Sequence, residues 1–110
     1  MLLERTLNLI ASEAMQSALD LPEAPAALLR PTQDAKFGDY QVNGAMALAK
    51  QLGKKPRDLA EPIAAKLLEH EAVEAAEVAG PGFINLRISA AWLGRALDAM
   101  YADRERDGVD

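Results

Sequence analysis

Phe83-Ile84-Asn85-Leu86-Arg87-Ile88 alternates two kinds of side chain, with Ile84, Leu86 and Ile88 at every second position and Phe83, Asn85 and Arg87 between them. A period of two is the mark of an extended chain with one buried side, so this run reads as a strand whose aliphatic residues face a core. Gly80-Pro81-Gly82 precedes it and reads as a tight turn, and residues 73–79 before the turn form a weaker strand. Together they predict a β-hairpin. The two glycines do not make a phosphate loop, because the longer glycine spacing, a following Lys-Ser or Lys-Thr and a helix directly after them are all missing.

Outward from the hairpin the period changes. Leu3, Leu7, Ile10, Ala14 and Met15 recur at helical spacing over residues 2–19, and Pro22 and Pro25 then break the pattern. Residues 27–30 read as a short strand ended by Pro31. Residues 40–52 read as a helix with Asp39 as its N-cap, with Val42, Ala45, Met46, Ala49 and Leu52 on one side and with Gly53 just past its end. A third helix starts at Pro56, carries Leu59, Ala60, Ile63, Ala64 and Leu67 on its core stripe, and ends around residues 69–71. Ser89 is placed to cap a last helix that buries Leu93, Leu97, Met100 and Tyr101 before the polar stretch 103–107. The expected fold is α+β, a small antiparallel sheet covered on one face by about four helices, with residues 1–110 forming one domain.

Composition narrows the chemistry. Of the 110 residues 50% are apolar or Tyr and 26% are charged, the balance of an ordinary globular protein. No apolar run approaches the roughly 20 residues a membrane helix needs, and no signal peptide opens the chain, so a cytoplasmic address is the default. There is no Cys and one His, His70, so no metal site of the usual ligands is expected. Asp39, Asp58, Glu61 and His70 fall on different elements with no catalytic spacing between them, which disfavours a self-contained hydrolase. The net charge of −5 disfavours binding nucleic acid mainly through phosphates. Charge is uneven, however, with Lys36, Lys50, Lys54, Lys55 and Arg57 against Asp34 and Asp39 in residues 34–57. That cluster is either a locally basic face or a solvated helix end.

The row Phe83, Asn85, Arg87 holds the candidate site. A ring can stack on an unpaired base, an amide can pair with a base edge, and a guanidinium can reach a phosphate. The plainer reading is that Phe83 covers a neighbour on the sheet while Asn85 and Arg87 are solvated. An acidic chain with an open sheet face also fits a protein-interaction module.

Two stretches carry a family resemblance. They are Lys36-Phe37-Gly38-Asp39-Tyr40-Gln41-Val42-Asn43-Gly44, followed by residues 47–55, and Val78-Ala79-Gly80-Pro81-Gly82-Phe83-Ile84-Asn85-Leu86. In order and separation they resemble the N-terminal additional domain of bacterial arginyl-tRNA synthetases. The resemblance implies a full-length enzyme that uses ATP to activate arginine and charge tRNA-Arg, with catalytic and anticodon-binding domains after this stretch. It places ATP, arginine and the reaction in those later domains, so that no cofactor-binding and no catalytic residue is expected here. It further implies that Phe83 and Asn85 read an exposed base of the tRNA D-loop, with Arg87 beside them, and it gives residues 37–43 a structural role.

Overall fold

The computed structural model describes the backbone of residues 2–109 and the side chains of residues 2–101 other than residue 35. In chain order the elements are α1 (Leu2–Leu19), β1 (Leu29–Pro31), a 3₁₀ turn (Ala35–Phe37), β2 (Tyr40–Val42), α2 (Gly44–Leu52), α3 (Pro56–Leu67), β3 (Val73–Ala79), β4 (Phe83–Ile88) and α4 (Ala90–Val109). The four strands form one sheet in the order β1-β2-β4-β3, with every neighbouring pair antiparallel. It is an α+β fold with helices over one face of a small antiparallel sheet.

The core lies between that face and the helices. Ile84, Leu86 and Ile88 of β4 and Val42 of β2 meet Leu7 and Met15 of α1, Leu48 of α2, and Leu59, Ile63 and Leu67 of α3, all buried. Each such side chain contributes about 1.5–3 kcal/mol by leaving water. Trp92 brings the start of α4 into the same cluster. That helix begins as its cap predicts, since the Trp92 backbone N–H donates to Ser89 Oγ at 3.3 Å.

The main departure from the sequence reading is at residues 40–42. Tyr40-Gln41-Val42 is a strand, not the first turn of a helix, and it fills the gap between β1 and β4. Tertiary pairing overrides the helical spacing here: the Asp39 backbone N–H donates to the Leu86 carbonyl at 2.7 Å, and Tyr40 and Val42 stand opposite Leu86 and Ile84. Asp39 is therefore no helix cap, and its Oδ2 instead accepts the Ile88 backbone N–H at 2.8 Å. Helix α2 starts at Gly44, whose N–H donates to the Ala27 carbonyl at 2.8 Å. With the start shifted, Leu48 rather than Leu52 joins the core, and Leu52 is exposed. Gly53 does end that helix in the left-handed conformation, with φ 67°.

Smaller differences follow from packing. The first strand is Leu29–Pro31, and Pro31 is tolerated because β1 lies at the sheet edge. Helix α3 stops at Leu67, and the chain turns through residues 68–72. Helix α4 runs on to Val109, through the polar stretch, and Tyr101 is exposed.

Candidate nucleic-acid interface

The sheet face turned away from the helices carries the residues between the core positions. On β4 these are Phe83 and Asn85, both half-buried, and the exposed Arg87. The alternation expected for this strand is the alternation observed. Register then fixes their neighbours: across the sheet, Arg30 of β1, Gln41 of β2, Asn85 of β4 and Glu77 of β3 stand in one line. Flanking that line, Phe83 faces Ala79 and Arg87 faces Ala75, so the β3 neighbours of the ring and the guanidinium are both small.

Two devices hold the row in place. At the turn, Gly80 and Gly82 have φ of 56° and 155°, and a Cβ on Gly82 would stand 2.5 Å from the Pro56 Cβ, so only glycine allows the turn to seat on the start of α3. The Arg57 guanidinium adds a 2.7 Å bond to the Gly80 carbonyl. The Phe83 ring lies against Gly80, with its nearest carbon 3.3 Å from where a Cβ would be. At the other end, Gly38 has φ 96° and packs so closely on β4 that a Cβ would stand 2.5 Å from the Leu86 carbonyl oxygen. That contact folds the β1–β2 connection onto the open face, where Lys36 and Phe37 border Asn85 and Arg87.

In the middle of the row Gln41 Nε2 donates to Asn85 Oδ1 at 2.9 Å. Beside it runs an open groove of about 440 Å³, bordered by Arg30, Phe37, Gln41 and Asn43. Phe37 is 51% exposed, with the Lys36 ammonium 5.5 Å from its ring centre. Gln41 and Arg30 escaped the sequence reading. Their signal was the apolar–polar–apolar order of Tyr40-Gln41-Val42, which puts Gln41 on the outer face once the segment is a strand.

The basic cluster divides in space. Lys54, Lys55 and Arg57 are exposed around the start of α3, at the end of the sheet where Phe83 leaves the turn, whereas Lys36 lies at the opposite end beside Arg87. A chain bearing net charge −5 thus places cations at both ends of this row. Burial raises the Tyr40 hydroxyl above its ordinary value of 10.0, with smaller contributions from Glu4 and Asp39, and Tyr40 faces the helices, away from the row. Among the described residues no group of three or more His, Asp or Glu side chains is placed to hold a metal ion, and no helix is long and apolar enough to cross a membrane.

Comparison with known proteins gives a consistent result. The family profile described as the arginyl tRNA synthetase N terminal domain matches residues 5–88. The arginine–tRNA ligase of Edwardsiella ictaluri is 46% identical over 97 residues, an alignment covering 86% of this chain and 17% of that protein. The ligase of Pseudoalteromonas atlantica is 52% identical over 87 residues, covering 78% of this chain and 15% of its own. Among solved structures, the Thermus thermophilus arginyl-tRNA synthetase superposes with a TM-score of 0.64 at 31% identity, over 86% of this chain and 15% of that one. The Plasmodium falciparum arginyl-tRNA synthetase shares the fold, with a TM-score of 0.72 at 20% identity, over 86% of this chain and 17% of that one. This chain spans less than a fifth of the length of the relatives it matches.

Proposed function

The chain belongs to the family of arginyl-tRNA synthetase N-terminal domains, and from that membership we propose that residues 1–110 form the tRNA-recognition domain of a cytoplasmic arginine–tRNA ligase. ATP binding, arginine activation and transfer belong to the catalytic domain in the rest of the enzyme. This domain's own part is to hold the D-loop of tRNA-Arg. Phe83 stacks on one unpaired base, Asn85 pairs with the edge of that base, and Arg87 offers charge to the adjoining backbone.

The observation that carries this reading is the half-buried Phe83 and Asn85 standing side by side on the helix-free face of β4, two residues apart. A side chain needed only for the core would point the other way. One stacked base and one amide pairing supply about 1–3 kcal/mol, a factor of about ten to a hundred, on top of contacts made elsewhere in the enzyme. Few phosphates can be neutralised by so acidic a domain, so it refines binding more than it drives it.

Charging kinetics of the full-length ligase at low and raised salt test the proposal. Phe83→Ala should lower kcat/KM by about tenfold to a hundredfold at both salt concentrations, because stacking releases no counterions. Arg87→Ala should show a smaller loss that shrinks as salt rises. Unchanged kcat/KM for Phe83→Ala would remove the base-stacking role.

A further inference from the structure

An asparagine amide has a donor end and an acceptor end of nearly the same shape, so a freely turning Asn85 would accept either pattern on a base edge. Here it does not turn freely. The residue opposite it in the β2–β4 ladder is Gln41, and the Gln41 Nε2 donates to Asn85 Oδ1 at 2.9 Å. On the other side the register places Glu77 opposite Asn85. The bond from Gln41 turns the carbonyl toward β2 and leaves the N–H end for a ligand.

We propose that Gln41 is a specificity-determining residue, which fixes the Asn85 amide so that its donor end meets an acceptor on the base being read. This rests on the reading of Asn85 as a base contact given above. The pairing edges of adenine and cytosine carry an amino group beside a ring nitrogen that accepts. Guanine and uracil carry a carbonyl beside a ring N–H, the reverse order. An amide held one way round matches one order and meets a like group in the other. Gln41 touches no base in this scheme and acts through Asn85.

The test is to reverse the amide. Gln41→Glu puts an acceptor-only group at position 41, which can bond only to the N–H end of Asn85 and so turns the carbonyl outward. Arg30, opposite position 41 on β1, offsets the added charge. Full-length ligase would be assayed on four tRNA-Arg transcripts that differ only in the D-loop base that Asn85 reads. In Gln41→Glu the adenine-to-guanine and cytosine-to-uracil ratios of kcat/KM should both shift by about tenfold from wild type, in the same direction. Gln41→Ala, which frees the amide, should flatten both ratios toward one, and in an Asn85→Ala background substitutions at position 41 should no longer affect them. Melting curves of each variant would establish that it is folded.

The outcomes separate the two claims. If Gln41→Glu and Gln41→Ala keep the wild-type ratios while Asn85→Ala lowers charging, Asn85 reads the base without help from Gln41 and this inference fails. If Asn85→Ala changes nothing on any of the four transcripts, the base-reading role itself fails, and the inference with it. A loss of activity equal on all four transcripts in the Gln41 variants would show a structural role only and would also overturn it.

Discussion

The two sides of β4 differ in what they touch. Ile84, Leu86 and Ile88 are 0%, 2% and 7% exposed and hold the sheet to the helices, whereas Phe83, Asn85 and Arg87, one step along the same backbone, face away from them. Both sets share one hydrogen-bonded ladder, so the ladder positions the outer residues without requiring particular chemistry from them. If the outer row reads tRNA as proposed, stability and recognition lie on alternate residues of a single strand. Substitutions on one side should move one property and leave the other nearly still.

The largest effect is expected on the inner side. Ile84→Ala leaves a hole among fully buried neighbours and should cost about 2–5 kcal/mol, read as a shift in the urea midpoint. A cost below about 1 kcal/mol would mean that the helix layer can collapse around the gap. Gly38→Ala tests where the two sides meet. With φ at 96° and the Leu86 carbonyl 2.5 Å from the new Cβ, the β1–β2 connection must shift, at about 1–3 kcal/mol, and the outer face should be disturbed with it. Wild-type stability in that variant would show that the connection does not depend on its contact with β4.

The outer side should respond in the opposite way. Phe83→Ala should change folding stability by no more than about 1 kcal/mol, because its ring is half-buried against Gly80 and outside the core. A loss of several kcal/mol would make Phe83 a core residue and erase the contrast between the sides. The smallest effect is alkaline and belongs to β2. Tyr40 is raised above 10.0 in the folded chain by burial, with Glu4 and Asp39 adding to it. Below pH 10 both folded and unfolded states keep the proton, and above it the unfolded chain ionises first, so stability falls as pH rises. Tyr40→Phe should remove that part of the fall, measured as the melting temperature at pH 8 against pH 11, and an identical fall in both proteins would contradict it.

What could be read from the residues alone follows the same division. The hairpin and its two sides were legible because period-two alternation over 83–88 has no rival reading, and Ser89 and Gly53 are local signals with local causes. The strand at residues 40–42 was not. Its three residues are too few to show a period, the helical pattern of α2 runs straight up to them, and what makes them a strand is a partner more than 40 residues away. Losing that strand also hid Gln41, whose side chain has meaning only beside Asn85. The turn of Gly38 against Leu86 is equally non-local.

If Phe83 and Asn85 read one unpaired D-loop base, as proposed, removing that base should abolish what each side chain contributes. Charging of intact tRNA-Arg would be compared with charging of the same tRNA made abasic at each exposed D-loop position in turn, using wild-type, Phe83→Ala and Asn85→Ala ligase. With intact tRNA each substitution should lower kcat/KM by about tenfold to a hundredfold. At one abasic position, the same for both residues, the loss should shrink to about twofold or less, because the partner of the missing side chain is already gone. Losses as large on every abasic tRNA as on the intact one would contradict the claim and leave the outer side of β4 without a base to read.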